Sequence, residues 1–177
     1  MFTQKVDEDI SIALVQESFA VKYSELVTDQ IDYLSQWLAW PPHCTSEQDF
    51  RLFVQRVLHE YAEGKTITCA IVYRGEIVGN CSCFNISDDT KCLEIGYWLS
   101  KHHQGNGIVT RVVKHLIDFA FNELNMEKVQ LSAAVENRAS RSVAERSGMA
   151  LEGVITNQEK IGERILDHAI YGIHRNR

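Results

Sequence analysis

Residues 104–109 read Gln104-Gly105-Asn106-Gly107-Ile108-Val109. They stand between a strand-like run that ends at Leu99 and an apolar stripe at helical spacing, formed by Val109, Val112, Val113, Leu116, Ile117, Ala120 and Leu124. A turn of this kind aims several main-chain N–H groups in one direction, and the helix that starts in it adds a partial positive charge. Together they make a seat for a phosphate or pyrophosphate, and Gly105 and Gly107 let a ligand approach the main chain with no Cβ in the way. The segment is not a P-loop, because no Gly-Lys-Ser or Gly-Lys-Thr follows. It is not a dinucleotide fingerprint either, because the third glycine is missing and the sheet before it reads as antiparallel. Taken alone, a Gly-x-Gly turn before a helix is more often a turn and nothing more.

Outward from this segment the chain alternates. Upstream, Ile67–Tyr73 and Ile77–Asn85 are strand runs around the turn Arg74-Gly75-Glu76, and Lys91–Leu99 continues them as an antiparallel meander. Earlier still, Ser11–Val15 alternates as a short strand and Phe19–Leu38 carries one or two short helices that Pro41-Pro42 ends. Thr45 or Ser46 caps a further helix with Phe50, Phe53, Val54, Val57, Leu58 and Tyr61 on one face, and Gly64 stops it. Downstream come a strand, Lys128–Ala134, a short helix, Asn137–Ser147, closed by Gly148, and a final pair of strands, Leu151–Glu159 and Arg164–His174. The order predicts an α/β fold with a mixed, mostly antiparallel sheet of seven strands. In it Lys91–Leu99 and Lys128–Ala134 are parallel, because a helical crossover joins them.

Composition narrows the function. A length of 177 residues predicts one domain, 1–177. With 45 % hydrophobic and 24 % charged residues the chain is globular in type. A net charge of −6 argues against a general nucleic-acid binder. No apolar run approaches the roughly 18 residues of a membrane span, and Met1–Ile10 lacks the basic-then-apolar order of a signal peptide, so a cytoplasmic location is expected. The five cysteines are an odd count, mostly within strand runs, and read as buried reduced thiols; no metal site is indicated.

Four stretches stand in one order: Glu94-Ile95-Gly96-Tyr97-Trp98-Leu99, Gln104-x-x-Gly107-x-Val109, Asn137-x-x-Ser140 and Glu145-Arg146-Ser147-Gly148-Met149. In this the chain resembles the GNAT superfamily of acetyl-CoA-dependent N-acetyltransferases, and within it the RimL-like group that acetylates the N-terminal amine of ribosomal proteins. The superfamily carries Gly or Ala where Val109 stands; the seat is expected to survive the difference, because in it the main-chain N–H does the binding. The resemblance implies acetyl-CoA as co-substrate, with the amides of Gln104, Gly105, Asn106, Gly107, Ile108, Val109 and Thr110 on its pyrophosphate. It further implies that the strand ending Tyr97-Trp98-Leu99 splays from Lys128–Ala134 to expose main chain for the pantetheine arm, with one N–H polarising the thioester carbonyl.

Further roles follow from the same resemblance. Asn137 is placed on the pantetheine arm, Ser140 near the coenzyme sulfur as proton donor to the leaving thiolate, and Arg146 on a phosphate. Each has a plainer alternative: Asn137 as a helix cap, Ser140 as a helix-start hydroxyl, Arg146 as a solvated surface charge. Glu159 and Glu94 are the candidate proton acceptors, with Glu159 preferred, and His102 and His103 read as solvent-facing or coenzyme-adjacent. Tyr33, Trp37 and Trp40 wall the acceptor pocket or belong to the core. The acceptor is a protein N-terminus or a small amine such as a polyamine, an amino acid or an aminoglycoside; a coenzyme-binding sensor without turnover is the alternative from another class. A homodimer through the last strands is implied by resemblance only.

Overall fold

A computed structural model describes residues 2–175. The elements run β1 (Thr3–Lys5), β2 (Ile10–Leu14), α1 (Ala20–Thr28), α2 (Ile31–Leu34), α3 (Glu47–Ala62), β3 (Ile67–Tyr73), β4 (Glu76–Ser87), β5 (Cys92–Leu99), α4 (Ile108–Asn122), β6 (Lys128–Ala134), α5 (Arg138–Arg146), β7 (Ala150–Ile161) and β8 (Arg164–His174). The strands form one sheet of eight in the order β1-β2-β3-β4-β5-β6-β8-β7. Only β5 and β6 pair in parallel. Seven strands are expected from the sequence; the eighth, β1, is exposed at all three positions and has no apolar alternation to announce it. It exists because Thr3, Gln4 and Lys5 pair with Ala13, Ile12 and Ser11 of β2.

Two cores lie on opposite faces of the sheet. Val112, Val113, Leu116 and Ile117 of α4 and Val143 and Ala144 of α5 pack on Leu93, Ile95, Val129, Leu131 and Tyr171. On the other face Tyr23 and Val27 of α1 and Phe50, Val54 and Val57 of α3 cover Ala13 and Ala70. A buried hydrogen bond of 2.9 Å from Asn80 Nδ2 to Tyr23 Oη ties α1 to β4. Ser46, not Thr45, caps α3: its hydroxyl accepts from the Asp49 N–H, and the Asp49 carboxylate accepts from the Ser46 N–H in return. All five cysteines are free; Cys69, Cys81 and Cys83 are buried and Cys44 and Cys92 half-buried. Among the described residues no helix is long and apolar enough to cross a membrane.

The feature that positions the site is the divergence of β5 from β6. Their ladder stops at Glu94 opposite Gln130, although β5 continues to Leu99 and β6 to Ala134. On its other edge β5 stays paired with β4 up to Leu99 opposite Gly79. Gly79 is required there, because a Cβ would collide with the Trp98 carbonyl oxygen. The last turn of the strand therefore stays in the sheet on one side and turns an open main-chain edge to the gap on the other.

Candidate active site

The gap between β5 and β6 is the floor of a cleft of about 1110 Å³ that runs from the 104–107 turn to the β7–β8 hairpin. That volume is slightly above the usual range for small-molecule sites. At one end the wall is main chain. Gly107, at φ 65°, is the N-cap of α4, with no side chain capping the helix and no acidic residue in its first turn. Gly105 is also left-handed, at φ 79°, and nothing stands within 4 Å of where a Cβ on either glycine would go. The start of α4 is thus uncapped by any side chain, and the space beside both glycines is open to a ligand.

Several side chains hold this turn without entering the cleft. Asn106 Nδ2 donates to the carbonyls of His103 and Gln104, at 3.1 and 3.2 Å. Arg111 Nη2 donates to the Asn106 carbonyl at 3.0 Å while its Nη1 reaches Asp7 at 2.7 Å. Sequence reasoning missed Asp7 and Arg111; they lie 104 positions apart and no motif joins them. His102 is exposed with its Nε2 3.5 Å from Asp29, whereas His103 lines the cleft.

At mid-cleft the hydroxyls of Tyr97 and Ser140 are 2.8 Å apart. Burial pushes the Tyr97 phenol up to about 12, against the opposing pull of Ser140 and Arg146. Asn137 Oδ1 accepts from the Ser140 N–H at 3.1 Å, so Asn137 does cap α5, and it lines the cleft as well. Arg146 is exposed at the rim. The α5 helix is seated by Arg141, which donates from Nε to the Tyr171 hydroxyl at 3.0 Å and from Nη1 to the Val135 carbonyl at 3.1 Å.

The far end is built from side chains. Trp40 lies 6.1 Å from Trp98 and 6.2 Å from Phe50, ring centre to ring centre, and joins the α1–α3 core while lining the cleft. Trp37 packs on Ala134, Ile161 and Leu166 and carries the Arg164 guanidinium 5.7 Å from its ring centre. Tyr33 stands nearer the other end, where Gln104 Nε2 donates to its hydroxyl. Glu159 lines the cleft, with Oε2 3.2 Å from His168 Nε2; His168 Nδ1 is 2.8 Å from Ser132 Oγ. Glu94 lies outside the lining. Burial pushes its carboxyl above the usual carboxylate range, against the pull of the Asn85 amide, 3.2 Å away, and of His168. His168 and Ser132 went unread in the sequence.

The family model for the acetyltransferase (GNAT) domain matches residues 20–150. The chain belongs to the GNAT acetyltransferase family. Over 169 residues it is 30 % identical to the ribosomal-protein-serine acetyltransferase of Escherichia coli (strain K12), covering 96 % of this chain and 94 % of that one. It is 35 % identical over 154 residues to YdaF of Bacillus subtilis (strain 168), provisionally named a ribosomal N-acetyltransferase, at 86 % and 84 % coverage. A RimL structure, a ribosomal-protein α-N-acetyltransferase in complex with coenzyme A, superposes with a TM-score of 0.94 at 26 % identity over 98 % of both chains. The GNAT protein is therefore an acetyltransferase that uses acetyl-CoA.

Proposed function

We propose that this GNAT protein acetylates the N-terminal α-amine of a protein, a ribosomal-protein-type acceptor, by direct attack within a ternary complex. The observation that carries the reading is the charge of the acceptor end. Among the described residues lining the cleft, Glu159 is the single carboxylate, and it stands beside aromatic and basic side chains. A polyamine needs several carboxylates spaced along its length; one carboxylate beside an open aromatic wall suits the single amine at the end of a peptide.

Acid–base chemistry agrees. At pH 7 roughly a tenth of an α-amine with pKa near 8 is neutral, against about one in 2,500 of a lysine amine near 10.4. One carboxylate is enough help for the first. Direct transfer is supported by the absence of a cysteine from the cleft lining and by the partner of Ser140, a tyrosine rather than a base. Acetyl-CoA, as substrate, supplies the thioester. The amides from Gln104 to Thr110 bind its pyrophosphate, the open edge of β5 takes the pantetheine arm and polarises the carbonyl, and Asn137 has its amide nitrogen free to join them while Oδ1 caps α5. Ser140 gives its proton to the leaving thiolate, and the Tyr97 hydroxyl behind it restores that proton. Glu159 receives the proton that the amine loses.

A homodimer through the last strands is part of the same reading. The outer strand β7 is exposed almost throughout, with Leu151 and Val154 each 51 % and Ile165 of β8 60 % accessible. Light scattering on the purified protein reads the mass directly. Thiol release from acetyl-CoA against N-terminal peptides, lysine peptides and small amines tests the acceptor: turnover confined to α-amines is expected, and faster turnover of spermidine or of lysine peptides overturns it.

A further inference from the structure

His168 Nε2 is buried, lies 3.2 Å from Glu159 Oε2, and makes no hydrogen bond in that alignment. A buried ring nitrogen left without a hydrogen bond is costly, and in a cleft wall beside a carboxylate it calls for a reason. The opposite nitrogen is held: Nδ1 is 2.8 Å from Ser132 Oγ. Three strands supply the group, and its placement depends on an irregularity in one of them. Between Ile155 opposite His168 and Glu159 opposite Leu166, β7 spends more residues than β8, and the surplus bulges out at Asn157. Asn157 takes a left-handed φ of 54°, and its N–H is received by Asp167 Oδ1 at 2.9 Å. A regular ladder would not set the two side chains in this relation; the bulge re-aims Glu159.

From this arrangement we infer that His168 is the proton store behind Glu159, a positioning residue whose ring Ser132 orients with Nε2 toward the carboxylate. The inference rests on the acetyl-transfer reading of the cleft and deepens it. As the amine nitrogen bonds to the acetyl carbon, its surplus proton passes to Glu159 Oε2 and then to His168 Nε2. The carbon–sulfur bond breaks with its electron pair on sulfur, and the thiolate takes the Ser140 proton. The imidazolium later releases its proton to solvent, so no co-reactant is needed. A carboxylate alone is a weak base near neutral pH. An imidazole is the stronger base by about two pK units in model compounds, and it holds the proton where the enzyme works. Facing His168 are Glu159 of β7, the Ser132 hydroxyl of β6 and, within electrostatic reach, Glu94 of β5; its neighbour Asp167 is taken by the Asn157 N–H.

Two measurements test this. The first is kcat at saturating peptide from pH 6 to pH 9. His168→Gln is expected to lose about 10- to 100-fold near pH 6.5–7 and to recover to within about threefold at pH 9, where solvent base takes the proton. Ser132→Ala is expected to follow the same curve with a smaller loss, and Ser132→Thr, which keeps the hydroxyl, to stay near the unaltered protein. A structural role would lower kcat by one constant factor at every pH. The second is the imidazole nitrogen NMR titration of His168, which needs no acceptor. The His168 ring-nitrogen signals of the unaltered protein and of Glu159→Gln should follow different courses with pH. A titration indifferent to Glu159→Gln overturns the inference, as does a loss in His168→Gln that does not change with pH. Failure of the α-amine reading shows separately, as no turnover of N-terminal peptides by the unaltered protein, and the titration still decides the pair.

Discussion

From Gly105 to Thr110 the cleft wall is main chain: two left-handed glycines, an uncapped helix end and no side chain closing it. At the acceptor end the wall is side chain: Trp37 and Trp40 from the loop after α2, Ser132 from β6, Glu159 from β7 and His168 from β8. The first region is one continuous segment, shaped by its two left-handed glycines and held by Asn106 and by the Arg111–Asp7 pair. The second converges from positions far apart and depends on packing, on a bulge and on one buried contact. In the proposed reading, binding of the common co-substrate belongs to the first region, and choice of amine and handling of its proton to the second.

The largest effect expected is at the acceptor end. Glu159→Gln should lower kcat about 100- to 1,000-fold at pH 7 while calorimetric coenzyme binding stays within about threefold, because only the proton acceptor is lost. A matching collapse of coenzyme binding would break the division between the two regions.

Next in size are the hydroxyls between them. Ser140→Ala should cost about 10- to 30-fold in kcat and Tyr97→Phe a few-fold, because Tyr97 only resupplies Ser140. With burial pushing the phenol up to about 12, Tyr97 keeps its proton across the working range, so no fall in rate below pH 10 should trace to it; pH profiles of Tyr97→Phe and the unaltered protein should be parallel there.

The coenzyme end should respond to added atoms more than to removed ones. Gly107→Val places a β-branched residue at φ 65°, which should cost the fold about 1–2 kcal/mol, and a Cβ in the cradle, which should raise coenzyme Kd roughly tenfold by calorimetry. Gln104→Ala, whose amide only meets Tyr33, should move it less than threefold.

The smallest effects separate the two duties of Asn137. Asn137→Ala should destabilise the fold by about 1 kcal/mol through loss of the cap and also weaken coenzyme binding. Asn137→Asp restores the cap oxygen without the amide N–H, so thermal unfolding should recover while coenzyme affinity does not.

The sequence by itself determined the order of elements from β2 onward, the parallel crossover and the glycine turn that opens α4, because periodicity and the turn glycines act over a few neighbouring residues. It put Asn137 at the start of α5 and Ser46 among two candidates for the α3 cap for the same local reason. It placed Tyr97 on the right strand, yet not its hydroxyl against Ser140, 43 positions later. Only the tertiary structure decided β1, whose polar residues are a strand because β2 offers an edge, and which carboxylate enters the cleft. Glu94 and Glu159 both lie on strands, but β5 turns Glu94 toward Asn85, whereas the bulge at Asn157 brings Glu159 to His168. That outcome depends on strand pairing between remote segments, a cooperative balance that no local pattern of residues records.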